Sequence, residues 1–365
     1  MTSAPAASAP ETSPATPSPR CLVGVVGLGR MGRAFAENLL ADGHPIVVWD
    51  AFQTQIDAMA RPGVVAATKL ADLAECDVVF SSLPDDEAVT AVAAGAGGLV
   101  KIMKAGAVHI SMSTISPTMS RRLAAWHGEC GQGYVAAPVL GNPDLARART
   151  LFILAAGPDA AMQKARPLLD RLGQKLFVIG EDAAAANLVK LAGNVLTALT
   201  LQSMGEVLAL LRKSGIDPRV GFDIFTNSLF DSRVHRTYGG KIVDERYSPP
   251  GMTVPLAVKD LRLALAEAET NSVPMPATSL VRDRLVAMVA HGWADLDWSA
   301  LGLLAARDAG LPDLVAPSSQ AQSDTRGTNA HPDRAAAPVK LIDQVYPPSG
   351  SRPAPAGGGS SVLIA

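Results

Sequence analysis

The chain has 365 residues, of which 48% are hydrophobic and 18% charged, and its formal net charge is −2. The apolar content excludes a disordered chain and is enough for two domains at about 100–200 residues each. Because neither charge sign forms a long run, the sequence lacks the basic stripe that is typical of nucleic-acid binding, and we expect a small-molecule substrate instead.

The three cysteines, Cys21, Cys76 and Cys130, are odd in number and far apart in the sequence. They form neither a disulfide framework nor a metal-ligand pattern, which favours a reducing, cytoplasmic location. The six histidines are equally scattered and show no pair at the helical spacing of a zinc site. No catalytic metal is therefore expected.

Residues 1–20 are rich in Ala, Pro, Ser and Thr and contain no apolar core segment. We interpret them as a disordered leader, since a secretory signal needs an apolar core and one arginine is too few for a transit peptide. The nearest candidate for a membrane span, Leu191–Leu211, is interrupted by Asn194, Gln202 and Glu206. Such a helix is typical of a buried core, so no membrane association is expected.

After the leader, apolar runs with the pattern of strands alternate with amphipathic segments that predict helices, such as 34–40 and 118–126. This alternation indicates βαβ units and a mostly parallel sheet over residues 21–180. The predicted fold class is α/β, with a Rossmann-type doubly wound sheet. The predicted strands are Leu22–Val26, Ile46–Trp49, Val78–Phe80, Val108–Ser111, Tyr134–Val135 and Leu151–Leu154.

From residue 182 the pattern becomes helical. A long Ala- and Leu-rich helix is predicted from Asp182 to about Lys213, with Gly215 and Pro218 marking its end. Residues 181–310 are thus predicted to form an all-α domain, joined to the first domain by this interdomain helix. Residues 311–365 are rich in Pro, Ser, Gly and Ala and are predicted to form a flexible tail. The further helices are expected at 220–225, 255–270, 277–290 and 298–307.

The first predicted strand leads into Gly27-x-Gly29-x-x-Gly32 and then directly into a helix. In this arrangement the first glycine permits a tight turn, the second lets the backbone approach a pyrophosphate, and the third allows close packing of helix on strand. Asp50 ends the next strand about 20 residues further on, where a carboxylate hydrogen-bonds an adenine ribose. The pattern predicts a nicotinamide dinucleotide. NAD is favoured over NADP, because Asp50 repels a 2′-phosphate and residues 51–53 contain no arginine.

The Gly27–Gly32 turn and six later motifs together resemble the β-hydroxyacid dehydrogenase family, which includes 3-hydroxyisobutyrate dehydrogenase and, more distantly, 6-phosphogluconate dehydrogenase. The resemblance covers about residues 21–310. It implies a Rossmann domain facing a helical domain across a cleft, and NAD(P)-linked oxidation of a β-hydroxy acid or reduction of its semialdehyde. It also implies homodimers or homotetramers built through the helical domain. The later motifs are Ser82–Pro84, Ser113–Pro117, Ala137–Gly141, Lys190 with Asn194, Lys259–Leu261 and Asp297–Ala300.

The resemblance also assigns the candidate site residues. Lys190 and Asn194 are the catalytic pair on the long helix. The candidate substrate-binding residues are Ser113, Leu140, Gly141, Asn142, Asn194 and Asp260. The candidate cofactor-binding residues are Gly27, Leu28, Gly29, Arg30, Met31, Gly32, Asp50, Leu83, Pro84, Ser113, Thr114 and Lys259.

The chemistry expected of Lys190 follows from its place on the helix. Lys190 and Asn194 are four residues apart and share one face. A partly desolvated ammonium beside an oxidised nicotinamide has its pKa lowered toward neutrality, so it can donate a proton in reduction and accept one in oxidation. Asn194 then orients the reacting oxygen. The alternative is a lysine that reaches solvent, which is the default for a lysine on a helix.

The substrate loop departs from the family pattern. The family reads Asp-x-Pro-Val-Ser-Gly-Gly, whereas this chain has Leu140 in place of the serine and Asn142 in place of the last glycine. Asp182 and Ala186 also replace glycines before the lysine. These changes put the usual carboxylate-binding mode in doubt. We hypothesise a substrate larger or less acidic than 3-hydroxyisobutyrate, with Asn142 as a ligand.

Two alternative functions stay open at this point. An imine reductase has a similar fold and opening motif, and the apolar Leu140 favours it. Lys190 argues against it, because imine reductases usually carry another residue there. A non-enzymatic NAD-binding scaffold is the second alternative, and the Lys190/Asn194 pair argues against that reading too.

Overall fold

The computed structural model describes residues 20–312. The predicted leader up to residue 19 and the predicted tail beyond residue 312 lie outside the described residues. The described chain begins with a sheet whose strands run in the order β3-β2-β1-β4-β5-β6-β8-β7, with β9 paired to β8. The strands are β1 Val23–Val26, β2 Ile46–Trp49, β3 Val64–Ala66, β4 Val78–Ser81, β5 Val108–Ser111, β6 Gly133–Ala136, β7 Val139–Leu140, β8 Leu151–Ala156 and β9 Gly173–Gly180.

Strands β1 to β6 are parallel, and β8 pairs antiparallel with β6 and β7. The chain leaves β1 towards β2 and β3, then returns to β4 on the other side of β1. This reversal opens a crevice at the carboxyl ends of β1 and β4, where open α/β sheets bind their ligands. Strands β1, β2, β4 and β5 are buried along nearly their whole length, as apolar parallel strands covered on both faces should be.

Helices cover both faces of this sheet. One core, which includes Phe35, Leu39 and Leu169, forms between the sheet and the helices on one face. Leu123 and Leu73 belong to two further cores, which include residues of the helices on the other side. The helices of this part are α1 Arg30–Ala41, α2 Gln53–Asp57, α3 Asp86–Ala94, α4 Leu99–Ile102, α5 Pro117–Glu129, α6 Pro143–Arg147 and α7 Asp159–Leu172, with a 3₁₀ turn at Leu70–Leu73.

The long helix α8, Ala183–Lys213, carries the chain from the sheet into a helical region. Its N-cap is Asp182, whose Oδ1 accepts a hydrogen bond from the Ala184 N–H at 3.0 Å, which explains an acidic residue at this point. Helix α8 is long and apolar enough to cross a membrane by length and composition alone, and half of its most apolar window is buried inside the protein. Buried core helices share this property.

The rest of the helical region surrounds α8. Leu201, Leu208, Leu261, Leu285 and Trp298 contribute to its core. Its elements are α9 Pro218–Thr226, a π-helical turn His235–Gly239, α10 Gly240–Val243, α11 Val254–Thr270, α12 Pro276–Ala290, a 3₁₀ turn Trp298–Ala300 and α13 Leu301–Asp308.

The predicted fold class is confirmed, and each predicted strand is present, shifted by no more than a few residues. Three strands were missed. β3 and β7 are only three and two residues long. β9 is eight residues long but exposes most of its side chains, so it lacks the buried apolar run that revealed the others.

Candidate active site

The Gly-rich turn between β1 and α1 has three glycines with three different steric requirements. Gly27 has φ +84°, and a Cβ there would lie 2.4 Å from the carbonyl oxygen of Ser82. A Cβ on Gly32 would lie 1.8 Å from the Gly27 carbonyl oxygen. A Cβ on Gly29 would meet nothing within 4 Å, so the backbone there faces open space. With no side chain capping the start of α1, this turn fits a bound pyrophosphate.

Asp50 lies against the same turn. Its Oδ2 accepts the Leu28 N–H at 2.6 Å, and its Oδ1 accepts the Phe52 N–H at 2.9 Å. The Leu28 side chain is fully buried, and its N–H is engaged by Asp50, so Leu28 supports the turn from behind. Sequence reasoning missed Arg33, which reaches from α1 to Gln55 Oε1 at 2.9 Å, just beyond Asp50.

The loops after β4 and β5 are tied to each other and to the long helix. Ser113 Oγ accepts the Leu83 N–H at 2.8 Å, while the Ser113 carbonyl accepts from Asn187 Nδ2 at 3.1 Å. Ser113 is nearly fully buried. Its hydroxyl therefore holds the Ser82–Pro84 loop in place, a role that the sequence did not reveal. Asn187, one turn before Lys190, was also missed.

Lys190 lies at the wall of the cleft with its side chain desolvated. Its Nζ donates to Asn194 Oδ1 at 2.9 Å, and Asn194 Nδ2 donates to Asp260 Oδ2 at 2.5 Å. Burial lowers the pKa of Lys190 to about 8; Asp260 opposes this shift and Lys259 adds to it. The face of α8 that carries Lys190 and Asn194 has no carboxylate of its own, but α11 supplies the carboxylate of Asp260. The alternative of a lysine reaching open solvent is wrong, because Lys190 is only 8% exposed.

Lys259 joins the two halves of the cleft. It lies in the second turn of α11, and its Nζ donates to the carbonyl oxygens of Pro84 at 2.7 Å and Thr114 at 2.6 Å. It also forms an ion pair with Asp260 at 3.1 Å. Since both carbonyls belong to the loops after β4 and β5, this lysine fixes α11 against the first domain.

The substrate loop differs from its expected arrangement. Leu140 does not line the cavity between the domains; its side chain lies over Gly193 of α8, where an added Cβ would be 3.0 Å from Leu140 Cδ2. Asn142 lines the cavity, but its Oδ1 accepts the N–H groups of Asp144 and Leu145 at 3.1 and 3.0 Å and caps α6. The carbonyl of the Asn142 amide is thus occupied by the backbone.

These elements enclose a cavity of about 420 Å³, in the size range of small-molecule sites. It brings together most of the predicted site residues, whereas Gly27, Leu28, Gly32, Asp50 and Leu140 do not line it. Residues 250–253 form a wall that the sequence did not reveal, and Arg30 donates a hydrogen bond to the Pro250 carbonyl. The predicted residues that line the cavity are Gly29, Arg30, Met31, Leu83, Pro84, Ser113, Thr114, Gly141, Asn142, Lys190, Asn194, Lys259 and Asp260.

Two sequence families match the described chain. The NAD-binding domain of 6-phosphogluconate dehydrogenase matches residues 22–180, and the NAD-binding region of NADP-dependent 3-hydroxyisobutyrate dehydrogenase matches residues 184–304. The 2-(hydroxymethyl)glutarate dehydrogenase of Eubacterium barkeri is 31% identical over 76% of this chain and 93% of its own length. The chain belongs to the β-hydroxyacid dehydrogenase family. As a β-hydroxyacid dehydrogenase it uses a nicotinamide cofactor and acts on a small-molecule substrate.

Other similar proteins agree with this membership. An oxidoreductase of Bacillus subtilis, YfjR, is 37% identical over 76% of this chain and 98% of its own length. The structure of Mycobacterium tuberculosis 3-hydroxyisobutyrate dehydrogenase with L-serine is 27% identical, with a TM-score of 0.71 over 78% of this chain and 99% of that chain. The β-hydroxyacid dehydrogenase fold therefore spans both halves of the described chain.

Proposed function

We propose that Lys190 is the general acid and base of this β-hydroxyacid dehydrogenase. The observation that supports it is a buried ammonium with a pKa of about 8 at the wall of the cavity. The bound nicotinamide supplies or accepts the hydride. Lys190 donates a proton to the carbonyl oxygen of the substrate in reduction and withdraws it from the hydroxyl in oxidation. Asn194 accepts from the ammonium through its Oδ1 and donates to Asp260 through its Nδ2. Its proposed role is therefore to position Lys190, which differs from the expectation that it orients the reacting oxygen.

The proposed cofactor is NAD. The Asp50 carboxylate lies at the end of β2 with both oxygens fixed by backbone N–H groups, so a 2′-phosphate placed there would meet a negative charge. Arg33 of α1 is a cation near this turn, and its guanidinium donates to Gln55 Oε1 at 2.9 Å.

The proposed substrate is a β-hydroxy acid, or its semialdehyde, with an apolar C2 substituent larger than a methyl group. The cavity wall supports this choice, because it carries many apolar side chains and the family's loop serine is replaced by Leu140, which lies over Gly193. Asn142 borders the site chiefly as a helix cap. Apart from Met31, Leu83 and Pro84, which are predicted to bind the cofactor, the apolar wall residues are Met112, Val139, Pro143, Pro250, Met252 and Leu256.

A pair of related substrates tests this proposal. 2-(Hydroxymethyl)hexanoate differs from 3-hydroxyisobutyrate only by a butyl group in place of the methyl. We expect kcat/KM with NAD to be at least about tenfold higher for the butyl compound, because each added methylene buried in an apolar pocket strengthens binding. Rapid turnover of 3-hydroxyisobutyrate at micromolar concentration would contradict the substrate assignment. Turnover of a cyclic imine without any hydroxy acid activity would favour an imine reductase instead.

We also propose a homodimer or homotetramer joined through the helical region. One face of α8 leaves Val189, Leu196, Val207 and Leu210 exposed in the single chain, and Leu196 is 68% exposed. Burying such a stripe against a second copy would remove it from water. Light scattering should give a dimer or larger for the wild type and a monomer for Leu196→Glu. A monodisperse wild-type monomer would overturn this assembly.

A further inference from the structure

We propose that Asp297 is a positioning residue for the substrate cavity. Its carboxylate holds the cleft segment, defined here as residues 247–253, which supplies one wall of that cavity. Asp297 belongs to the Asp-Trp-Ser-Ala motif, which the proposed catalytic chemistry leaves without a role. The inference rests on the proposed function only for its kinetic readout.

The Asp297 carboxylate is fully buried and accepts from four donors. Oδ1 accepts from the Ser299 N–H at 3.0 Å and from Ser299 Oγ at 2.6 Å. Oδ2 accepts from Lys241 Nζ at 2.7 Å and from the Gly251 N–H at 2.7 Å. One oxygen therefore caps the 3₁₀ turn of the motif, while the other reaches the cleft segment and α10.

Backbone contacts run alongside this carboxylate. The Asp297 N–H donates to the Tyr247 carbonyl at 2.9 Å, and the Trp298 N–H donates to the Met252 carbonyl at 3.0 Å. Thr253 and Asp297 form an isolated antiparallel bridge. The start, middle and end of the cleft segment are thus each bonded to Asp297 or Trp298.

The cleft segment touches both sides of the site. Pro250, Gly251, Met252 and Thr253 line the cavity that Lys190 also lines. The Pro250 carbonyl accepts from Arg30 in the Gly-rich turn. Helix α11, which carries Lys259 and Asp260, begins directly after the segment. Residues 250–253 line the cavity directly, whereas the Gly-rich turn meets the segment through the Arg30 side chain, so moving residue 251 would chiefly change the shape of the cavity wall.

The substitution Asp297→Asn distinguishes the contacts of Oδ1 with Ser299 from the contacts of Oδ2 with Lys241 and Gly251. The Asn Oδ1 can still accept from Ser299 and cap the turn, but its NH₂ group would face two donors, Lys241 Nζ and the Gly251 N–H. A donor facing a donor costs the buried hydrogen bonds and the ion pair together. Lys241→Met removes the ion pair and the contact of Lys241 over the Tyr238 ring, and leaves the Gly251 hydrogen bond in place.

The test compares Asp297→Asn, Lys241→Met and a control, Arg284→Met, which breaks an ion pair with Asp308 in the same helical region. With 2-(hydroxymethyl)hexanoate as substrate, we expect KM to rise about tenfold or more in Asp297→Asn and less in Lys241→Met, because misplacement of positioning residues weakens productive binding. The Kd for NADH should stay within about twofold of the wild-type value in all three variants, and the KM of the Arg284→Met control should also stay within about twofold. Lys241→Arg keeps the positive charge next to Asp297 and should therefore have the wild-type KM, in contrast to Lys241→Met.

Hydrogen exchange of the Gly251 and Trp298 amides gives a readout that needs no turnover. We expect the Gly251 and Trp298 amides to exchange faster in Asp297→Asn than in the wild type. The amides of β1 and β4, which lie in the sheet, should keep their wild-type exchange rates. If the wild-type enzyme turns over no hydroxy acid but the Gly251 and Trp298 amides still lose protection in Asp297→Asn, the proposed function fails and the positioning role stands. Wild-type KM and wild-type exchange in Asp297→Asn would overturn the positioning role. A loss of kcat with unchanged KM would also overturn it, since that is the signature of partial unfolding. If Asp297→Asn does not fold, Lys241→Met alone decides between the same outcomes.

Discussion

The Lys190 ammonium donates to Asn194 Oδ1 over 2.9 Å, and the orientation of that amide is set from another helix. Asn194 Nδ2 is held by Asp260 Oδ2, so the amide presents its oxygen, not its nitrogen, to the lysine. Lys190 has three donor hydrogens as an ammonium and two as a neutral amine, so it keeps this hydrogen bond in both protonation states. In the proposed mechanism, the lysine can therefore exchange a proton with substrate without losing its position.

The first prediction concerns Lys190→Ala. Removing the general acid and base should lower kcat by about 10²–10⁴-fold. The Kd for NADH, measured by fluorescence, should stay near the wild-type value. Lys213→Ala removes a lysine from the other end of the same helix, where Nζ contacts the Ala309 carbonyl, and should keep full turnover. Retention of most activity in Lys190→Ala would refute the catalytic assignment.

The second prediction is the pH dependence of kcat/KM. Reduction needs the ammonium form of Lys190, so its rate should fall as pH rises through about 8, while oxidation needs the neutral amine and should rise through the same region. Asp260 raises the pKa of Lys190. Asp260→Asn should therefore move both transitions to lower pH. A transition that stays in place or moves upward would contradict the role given to Asp260.

The third prediction concerns cofactor choice. Asp50→Ala removes the carboxylate next to the Gly-rich turn and should raise kcat/KM for NADPH relative to NADH by about tenfold, equivalent to about 1.4 kcal/mol. Asp57→Ala removes a nearby carboxylate on α2, which is bound by Gln53, and should leave the ratio unchanged. A wild-type enzyme that already prefers NADPH strongly would overturn the assignment of NAD.

The fourth prediction separates two roles of Asn142. Serine at this position can still cap α6, whereas alanine cannot, so Asn142→Ala should lower the free energy of unfolding by about 1 kcal/mol and Asn142→Ser by much less. Urea denaturation measures this difference. If Asn142 acts chiefly as a cap, KM in the serine variant stays at the wild-type value. A large rise in KM for Asn142→Ser would instead make the amide a substrate ligand.

The fifth prediction concerns acid stability. His109 Nδ1 and His127 Nε2 lie 2.9 Å apart in the buried core, and burial lowers the pKa of both rings below the ordinary value. The unfolded chain therefore binds more protons, and the stability held above about pH 6.5 is lost as pH falls below that value. Each histidine changes the free energy of unfolding by at most about 1.4 kcal/mol per pH unit. NMR titration should show both imidazoles titrating below the ordinary value of about 6.5; two rings titrating near 6.5 would contradict this.

Local pattern was enough for the six longest buried strands of the sheet and for the long helix that carries Lys190. Buried parallel strands give continuous apolar runs, and the four-residue spacing of Lys190 and Asn194 places them on one face. Contacts between distant parts of the chain left no such signal. Asp260 is 66 residues from Asn194, and Pro250 is 220 residues from Arg30. The direction of Leu140 was also beyond sequence reasoning, because it depends on a glycine in another element.

The contact between Leu140 and Gly193 links two sites that a protein engineer would treat as separate. The leucine packs closely over this helix position, where an added Cβ would lie 3.0 Å from Leu140 Cδ2. Reinstating a hydroxyl at residue 140 leaves a void above residue 193, while a larger residue at 193 collides with the leucine. A library that diversifies the loop and the helix together would therefore sample loop conformations that single-position scans miss.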